Sequence, residues 1–166
     1  MTNKFNDMIR LGYGQGFLEL TNVEGTEIVT EEELSAAPSN EIARSLEEPI
    51  GRSLDDFAGC RSATILASDI TRPAPSHLML PPLIERLKSL DIADLKIVFA
   101  LGTHRKMTPA EERHLLRDCT SVPYMQHDSK RCVLLGETGC STPVEILDEV
   151  ASSDLIVATG NIEYHY

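Results

Sequence analysis

Three short apolar runs, each ending on a cluster of polar residues, dominate the hydropathy pattern of this chain. They cover residues 63–67, 95–101 and 154–159. Such nearly continuous apolar runs of four to eight residues predict strands that are buried on both faces. Helical stretches are predicted between them, and crossover helices make successive strands parallel. The pattern therefore predicts an α/β fold with a mainly parallel, Rossmann-like sheet and helices on both of its faces.

The segments between the runs carry the spacing and the end signals of helices. Leu83, Leu87 and Leu90 form an apolar stripe that predicts a helix over residues 80–90, with Pro81 and Pro82 in its first turn. Residues 108–111 read Thr-Pro-Ala-Glu, a capping box that predicts a helix from there to about residue 117. A further helix is predicted over residues 143–150, and short edge strands are predicted at 123–126 and 132–135.

The amino-terminal third has a different character. Residues 11–16 are rich in glycine, but the alternation at 17–21 that follows them is typical of a strand and not of the helix that a phosphate loop requires. We predict a β-hairpin from 17–21 and 26–30, then helices at 40–48 and 53–57. Between residues 19 and 56 there are eleven acidic and two basic residues, typical of a solvated face. The predicted division is an acidic β/α extension at 1–57 and an α/β core at 58–166.

The overall composition excludes several kinds of partner. The 166 residues include 26 acidic and 15 basic side chains, a net charge of −11, which argues against binding to nucleic acid or to an anionic membrane. No apolar run approaches the roughly 20 residues of a membrane span. The four cysteines form no C-x-x-C pair, so we expect reduced thiols, a cytoplasmic location and no protein-held metal site.

Polar clusters follow all three predicted strands, and they contain the candidate chemistry. The first holds Asp69, Thr71 and Arg72, the second is centred on His104, and the third contains His165. The carboxyl ends of parallel strands meet at one edge of the sheet, which is where open α/β sheets bind ligands. Arginine suits a carboxylate or a phosphate, and imidazole suits proton transfer near neutral pH. The alternative for the first cluster alone is a capped turn with a surface ion pair.

The other histidines and two other enzyme classes give weaker signals. His127 precedes Asp128, whose carboxylate is in a position to orient the ring, whereas His77 and His114 have no such neighbour and are interpreted as structural. A phosphatase of the haloacid dehalogenase type needs an aspartate two residues before Asp69, where this chain has Ala67. A dinucleotide-binding domain needs a glycine fingerprint after a strand, and none occurs.

Several stretches, in order along the chain, carry a family resemblance. They are residues 68–75 (SDITRPAP), 80–83 (LPPL), 100–108 (ALGTHRKMT) and 162–166 (IEYHY), supported by 48–51 (EPIG) and by 127–128 (HD). Together they resemble the lactate racemase family of nickel-pincer enzymes, over the amino-terminal domain of that family. One departure is Tyr164, since a proline before the second histidine is common in the family.

The resemblance implies a specific activity. Family members are isomerases of the racemase or epimerase type. They interconvert the two configurations of a 2-hydroxy acid through a keto acid. Hydride passes to and from a nickel-pincer nucleotide, a nickel pyridinium-3,5-bisthiocarboxylate mononucleotide. The family's two acid/base histidines match His104 and His165. Arg72 and Asp69 match residues near the substrate, and Asp69 and Thr71 match the loop at the cofactor.

The resemblance also sets expectations about the rest of the enzyme. The cofactor-tethering lysine and the nickel-ligating histidine of the family lie beyond Tyr166, so we expect a truncated enzyme that lacks a carboxy-terminal domain. The expected partners are a small 2-hydroxy acid and that missing domain, without nucleic acid or membrane, and a homo-oligomer stays open. By itself the 166-residue chain is expected to bind no cofactor and to be inactive. A non-catalytic ligand-binding or assembly module with the same fold is the alternative.

Overall fold

The computed structural model describes residues 8–21 and 38–162, and the chain divides into two compact units, residues 1–35 and 36–166. In the first unit, β1 (Met8–Tyr13) and β2 (Gly16–Thr21) form an antiparallel hairpin. Its turn contains Gly14 at φ +58°, a left-handed conformation that glycine adopts without strain. The glycine-rich stretch is therefore a hairpin turn. The turn predicted at 24–25 and the strand predicted at 26–30 lie outside the described residues.

The second unit contains the remaining helices and strands, and its centre is a parallel sheet. In chain order these elements are α1 (Pro38–Glu47), β3 (Ser62–Ser68), α2 (Ser76–Ser89), β4 (Asp94–Ala100), α3 (Pro109–Leu116), β5 (Tyr124–Gln126), β6 (Cys132–Glu137), β7 (Pro143–Leu147), α4 (Asp148–Ala151) and β8 (Leu155–Ala158). Four strands pair in the order β5-β4-β3-β8, and all three pairings are parallel. The register places Ser68 beside Ala100, and Leu66 beside Ala158. The predicted α/β class with a parallel sheet and an added hairpin is confirmed.

Each face of this sheet is covered by a different kind of element. On one face the strand residues Ile65, Ile97 and Phe99 are completely buried in a core that includes Leu80 and Leu87 of α2. On the other face Val98 packs with Leu147 and Val150, at the end of the β6–β7 hairpin and in α4. The central strands β3 and β4 are thus buried on both sides, as their continuous apolar runs predict. For β8 that prediction was wrong, because β8 lies at the end of the strand order and its Ile156 is 47% exposed.

Part of the predicted extension packs on the core. Leu46 of α1 contacts the larger apolar cluster, and so do Leu54 and Phe57 of a single 3-10 turn. The Ser53 hydroxyl and the Asp56 carboxylate cap that turn reciprocally, with Asp56 Oδ2 accepting from the Ser53 amide at 3.1 Å. Residues 38–57 therefore pack on the same apolar cluster as α2.

Two helix predictions were wrong. The helix predicted at 80–90 begins earlier, at Ser76, so that Pro81 and Pro82 lie inside it and two backbone donors are missing from its second turn. Burial of Leu80, Leu83 and Leu87 on the sheet offsets that loss.

No helix among the described residues has the length and the apolar content that spanning a membrane requires.

The second wrong prediction is the helix at 143–150. Residues 143–147 form β7, which pairs antiparallel with β6, and only residues 148–151 are helical. Val144 and Ile146 are half-buried whereas Pro143 and Glu145 are exposed, the alternation of a strand. Pairing with β6 stabilises this conformation. A pattern within one segment cannot predict such pairing, because the partner strand lies elsewhere in the chain.

Candidate functional site

The first wall of the candidate site is the turn that follows β3. Asp69 is 3% exposed, and its Oδ1 accepts a hydrogen bond from the Thr71 amide at 2.7 Å. The backbone carbonyl of Asp69 accepts from the Arg72 amide at 3.2 Å. Pro73 and Pro75 then keep the chain out of a helix until Ser76. The aspartate is in this way held at the carboxyl end of the strand, within a tight turn.

The second wall is the turn that follows β4. Gly102 has φ +56°, and the His104 amide donates to the Leu101 carbonyl at 2.9 Å. Glycine is favoured at such a left-handed position because a Cβ would be strained there. This turn reverses the chain and brings the His104 ring back toward the loop of the neighbouring strand.

The two turns meet through one side-chain pair. His104 Nδ1 lies 2.7 Å from Asp69 Oδ2 and 3.1 Å from the Thr71 hydroxyl, and the His104 side chain is 34% exposed. Burial by itself raises the pKa of Asp69, but hydrogen bonds from Thr71 and His104 outweigh it and leave that pKa below its usual value. The aspartate is therefore an anion at neutral pH, next to the imidazole.

A cleft of about 380 Å³ opens between these turns. Its lining consists of Ser68, Asp69, Arg72, Ala100, Leu101, Gly102, Thr103 and His104. The structure thus brings together Asp69, Arg72 and His104, three of the four residues for which the sequence predicts a substrate or acid/base role. The lining thus includes an arginine and a histidine, residue types that suit an anionic ligand that exchanges a proton.

The third strand end reaches the same edge of the sheet. The Thr159 amide and hydroxyl both donate to the Leu66 carbonyl, at 2.8 and 3.0 Å. A Cβ built on Gly160 would lie 3.6 Å from Ser68 Oγ, so the chain passes close to the cleft. His165 lies outside the described residues, so its part in the site stays a prediction.

Arg105, Asp128 and His127, polar residues near the strand ends, have structural partners. Arg105 makes a two-pronged ion pair with Glu111, at 2.9 and 2.7 Å, and is absent from the cleft lining. Asp128 Oδ1 accepts from the Lys130 amide at 3.1 Å, and His127 Nε2 lies 3.5 Å from Cys132 Sγ. None of these residues belongs to the cleft lining. Within residues 8–21 and 38–162, no three histidine, cysteine, aspartate or glutamate side chains come close enough to hold a metal ion.

Sequence analysis missed two residues that support the site. Met107 is 5% exposed, and its Sδ accepts a hydrogen bond from the Ile70 amide, between Asp69 and Thr71, at 3.3 Å. Gln126 Oε1 accepts from the Met107 amide at 2.6 Å, and Gln126 Nε2 donates to the Met107 carbonyl at 3.0 Å. Gln126 is the last residue of β5, so a search for polar residues at every strand end would have included it.

Comparison with known proteins identifies the class to which this fold and site belong. Residues 11–166 match the family model described as the lactate racemase N-terminal domain. The chain belongs to that family, as the resemblance implied.

Two curated relatives are named lactate racemase. The one from Thermoanaerobacterium thermosaccharolyticum is 34% identical over 133 residues, and the one from Lactiplantibacillus plantarum is 32% identical over 133 residues. Each match covers 75% of this chain and 31% of the relative. The solved lactate racemase apoprotein from T. thermosaccharolyticum aligns with a TM-score of 0.73 at 28% identity, over 91% of this chain and 38% of that one. The chain therefore spans about a third of the length of these relatives.

Proposed function

We propose that this domain provides the proton-transfer side of the active site in a racemase or epimerase of 2-hydroxy acids. The observation that carries the proposal is the shared cleft of Arg72 and His104 at the carboxyl edge of the sheet, in a chain of the lactate racemase family. In this proposal the substrate is a small hydroxy acid similar to lactate, the acid for which the relatives are named.

The proposed roles follow from the chemistry of each side chain. Arg72 binds the carboxylate or the hydroxyl oxygen of the substrate, because a guanidinium makes two parallel hydrogen bonds to such groups. His104 takes the hydroxyl proton of one enantiomer and returns it, as a neutral imidazole does near pH 7. His165 does the same for the other enantiomer, since a single ring cannot reach both faces of the reacting carbon.

The family's nickel-pincer nucleotide fits the donor set of this cleft. An anionic nucleotide needs cations and hydroxyl donors, and the cleft has Arg72 in its lining with Thr71 next to it. Thr71 is the residue proposed to hold the cofactor here, and Asp69 supports it by accepting from the Thr71 amide. When bound, the cofactor supplies the hydride acceptor that lets the substrate carbon become planar. The described residues contribute proton transfer and substrate orientation.

The rest of the site is proposed to come from the part of the relatives' length that this chain does not match. The cleft is open, and a hydride reaction requires a site from which water is excluded. A carboxy-terminal domain closing over the carboxyl edge of the sheet would provide that exclusion. On this proposal the 166-residue chain alone is inactive.

The test is racemisation by a complete enzyme that contains this domain. We expect His104→Ala and His165→Ala each to abolish racemisation in both directions, because the path between enantiomers passes both bases. The two variants should still respond to opposite enantiomers, seen as a change in the absorbance of the bound cofactor. His114→Ala, on the exposed side of α3, is the matched control and should retain full activity. Full activity of either site variant, or a response of both variants to the same enantiomer, would reject the two-base assignment.

A further inference from the structure

The carboxylate of Asp69 is buried and hydrogen-bonded within the protein, although the residue belongs to the cleft lining. Its Oδ1 accepts from the Thr71 amide at 2.7 Å, and its Oδ2 lies 2.7 Å from His104 Nδ1. The residue is 3% exposed. A ligand in the cleft therefore has little of this side chain to contact, although the family resemblance implies that Asp69 binds substrate and cofactor.

We propose that Asp69 is a positioning residue, which holds His104 in the tautomer with hydrogen on Nδ1 and turns Nε2 toward the cleft. What Nε2 then does rests on the proposed function, in which His104 is an acid/base. The orientation and the tautomer of the ring are properties of this chain alone.

The tautomer follows from the hydrogen-bonding capacity of the two groups. An ionised carboxylate only accepts hydrogen bonds, so a ring nitrogen 2.7 Å from it must donate. In a neutral imidazole the other nitrogen then carries the lone pair. Nε2 lies across the ring from Asp69, and it is the nitrogen available to take a proton.

The carboxylate cannot rotate away from the ring without losing a second bond. The Thr71 amide fixes Oδ1, and the Met107 sulfur accepts from the amide of Ile70, in the same turn. The Thr71 hydroxyl lies 3.1 Å from Nδ1, on the same side of the ring as the carboxylate. One short turn therefore fixes the acceptor, and the acceptor fixes the ring.

Two arginines are neighbours of the pair. Arg72 is on the same turn as Asp69, and Arg105 follows His104 and interacts electrostatically with Asp69. An arginine has no acceptor atom, so neither of them can replace Asp69 as the acceptor for Nδ1–H. The carboxylate is therefore the group on which the tautomer depends.

The first experiment measures the tautomer in the 166-residue chain by ¹⁵N NMR. The His104 signals are assigned by comparison with His104→Gln. We expect the ring of the unsubstituted chain, when neutral, to carry its proton on Nδ1. Asp69→Asn should shift the tautomer ratio about tenfold or more toward Nε2–H, because an amide can donate to Nδ1 as well as accept from it. Thr71→Val is the matched control and should keep the Nδ1–H form, since the carboxylate remains.

The spectrum of the unsubstituted chain is decisive even if Asp69→Asn fails to fold. An Nε2–H ring at His104 in that spectrum would overturn the proposal. An unchanged tautomer ratio in a folded Asp69→Asn chain would overturn it as well.

The second experiment separates positioning from ligand binding in a complete enzyme. For a positioning residue, Asp69→Asn should lower kcat by about 10²- to 10⁴-fold, the range seen when a catalytic histidine is left in the wrong tautomer, with KM changed by no more than about threefold. A raised KM with an unchanged kcat would make Asp69 a binding residue and overturn the inference. Full activity of His104→Gln would instead reject the proposed function, and the NMR tautomer would still decide the role of Asp69.

Discussion

Gln126 hydrogen-bonds both backbone groups of Met107, as acceptor at 2.6 Å and as donor at 3.0 Å. Met107 in turn accepts from Ile70 through its sulfur, so that an edge strand of the sheet supports the turn that contains Asp69. These hydrogen bonds join the loops after β3 and β4 to the last residue of β5.

The first prediction concerns that support. Gln126→Ala leaves the amide and the carbonyl of buried Met107 without their partner, and we expect a loss of about 1–3 kcal/mol in the free energy of unfolding. Chemical denaturation monitored by circular dichroism measures this loss. Thr120→Ala, an exposed substitution nearby, should change the stability by less than about 0.5 kcal/mol. If the two variants are equally stable, the Gln126 contact does not support the fold.

The second prediction concerns the start of α3. The Thr108 hydroxyl accepts from the Glu111 amide at 3.3 Å, and Glu111 Oε2 accepts from the Thr108 amide at 2.7 Å. Thr108→Ala removes one half of this capping box and should cost about 0.5–2 kcal/mol, measured by urea unfolding. Thr108→Ser keeps the hydroxyl and should remain close to the original stability. If Thr108→Ser is as unstable as Thr108→Ala, the loss of stability comes from the missing threonine methyl group and not from the hydroxyl.

The third prediction is a loss of stability in acid. Hydrogen bonds from Arg105 and from the Thr108 backbone hold the pKa of Glu111 at about 2, below its ordinary value of 4.5. A carboxylate whose pKa is lowered by folding stabilises the folded state above its unfolded pKa, and that contribution is lost as the pH falls through the folded value. Stability should therefore fall between pH 4.5 and 2, with Asp69 contributing in the same direction.

Urea unfolding at a series of pH values checks this expectation. Glu111→Gln should flatten the slope of stability against pH in that window, whereas Glu137→Gln, in an exposed position of β6, should leave it unchanged. An equal slope in all three proteins would show that the ion pair with Arg105 contributes nothing to the acid transition.

The fourth prediction concerns substrate binding in a complete enzyme. If Arg72 binds the substrate through two parallel hydrogen bonds, Arg72→Ala should raise KM by about 10- to 100-fold, the equivalent of a charge-assisted hydrogen bond. Arg72→Lys should recover only part of the loss, because an ammonium group does not reproduce the planar fork. Arg113→Ala, exposed on α3, is the control. An unchanged KM in Arg72→Ala would show that Arg72 does not bind the substrate.

Much of this protein could be predicted from local patterns. The continuous apolar runs of β3 and β4, the Thr108 capping box and the polar residues after β3 and β4 are properties of short segments, and each is found in the structure. Parallel pairing followed from helices between strands, and it placed Asp69, Arg72 and His104 at one edge. The order of the stretches that resemble the lactate racemase family indicated membership, which the family match confirms.

Tertiary structure decided the features that depend on distant pairing. Residues 143–147 read as a helix in isolation, and they form a strand because β6 supplies hydrogen-bonding partners. The helix α2 includes two internal prolines because the sheet buries its leucines. The sequence by itself determined that Asp69, Arg72 and His104 lie at one edge of the sheet. Only the fold decided that the Asp69 carboxylate points to His104, since that contact joins residues 35 positions apart across two turns.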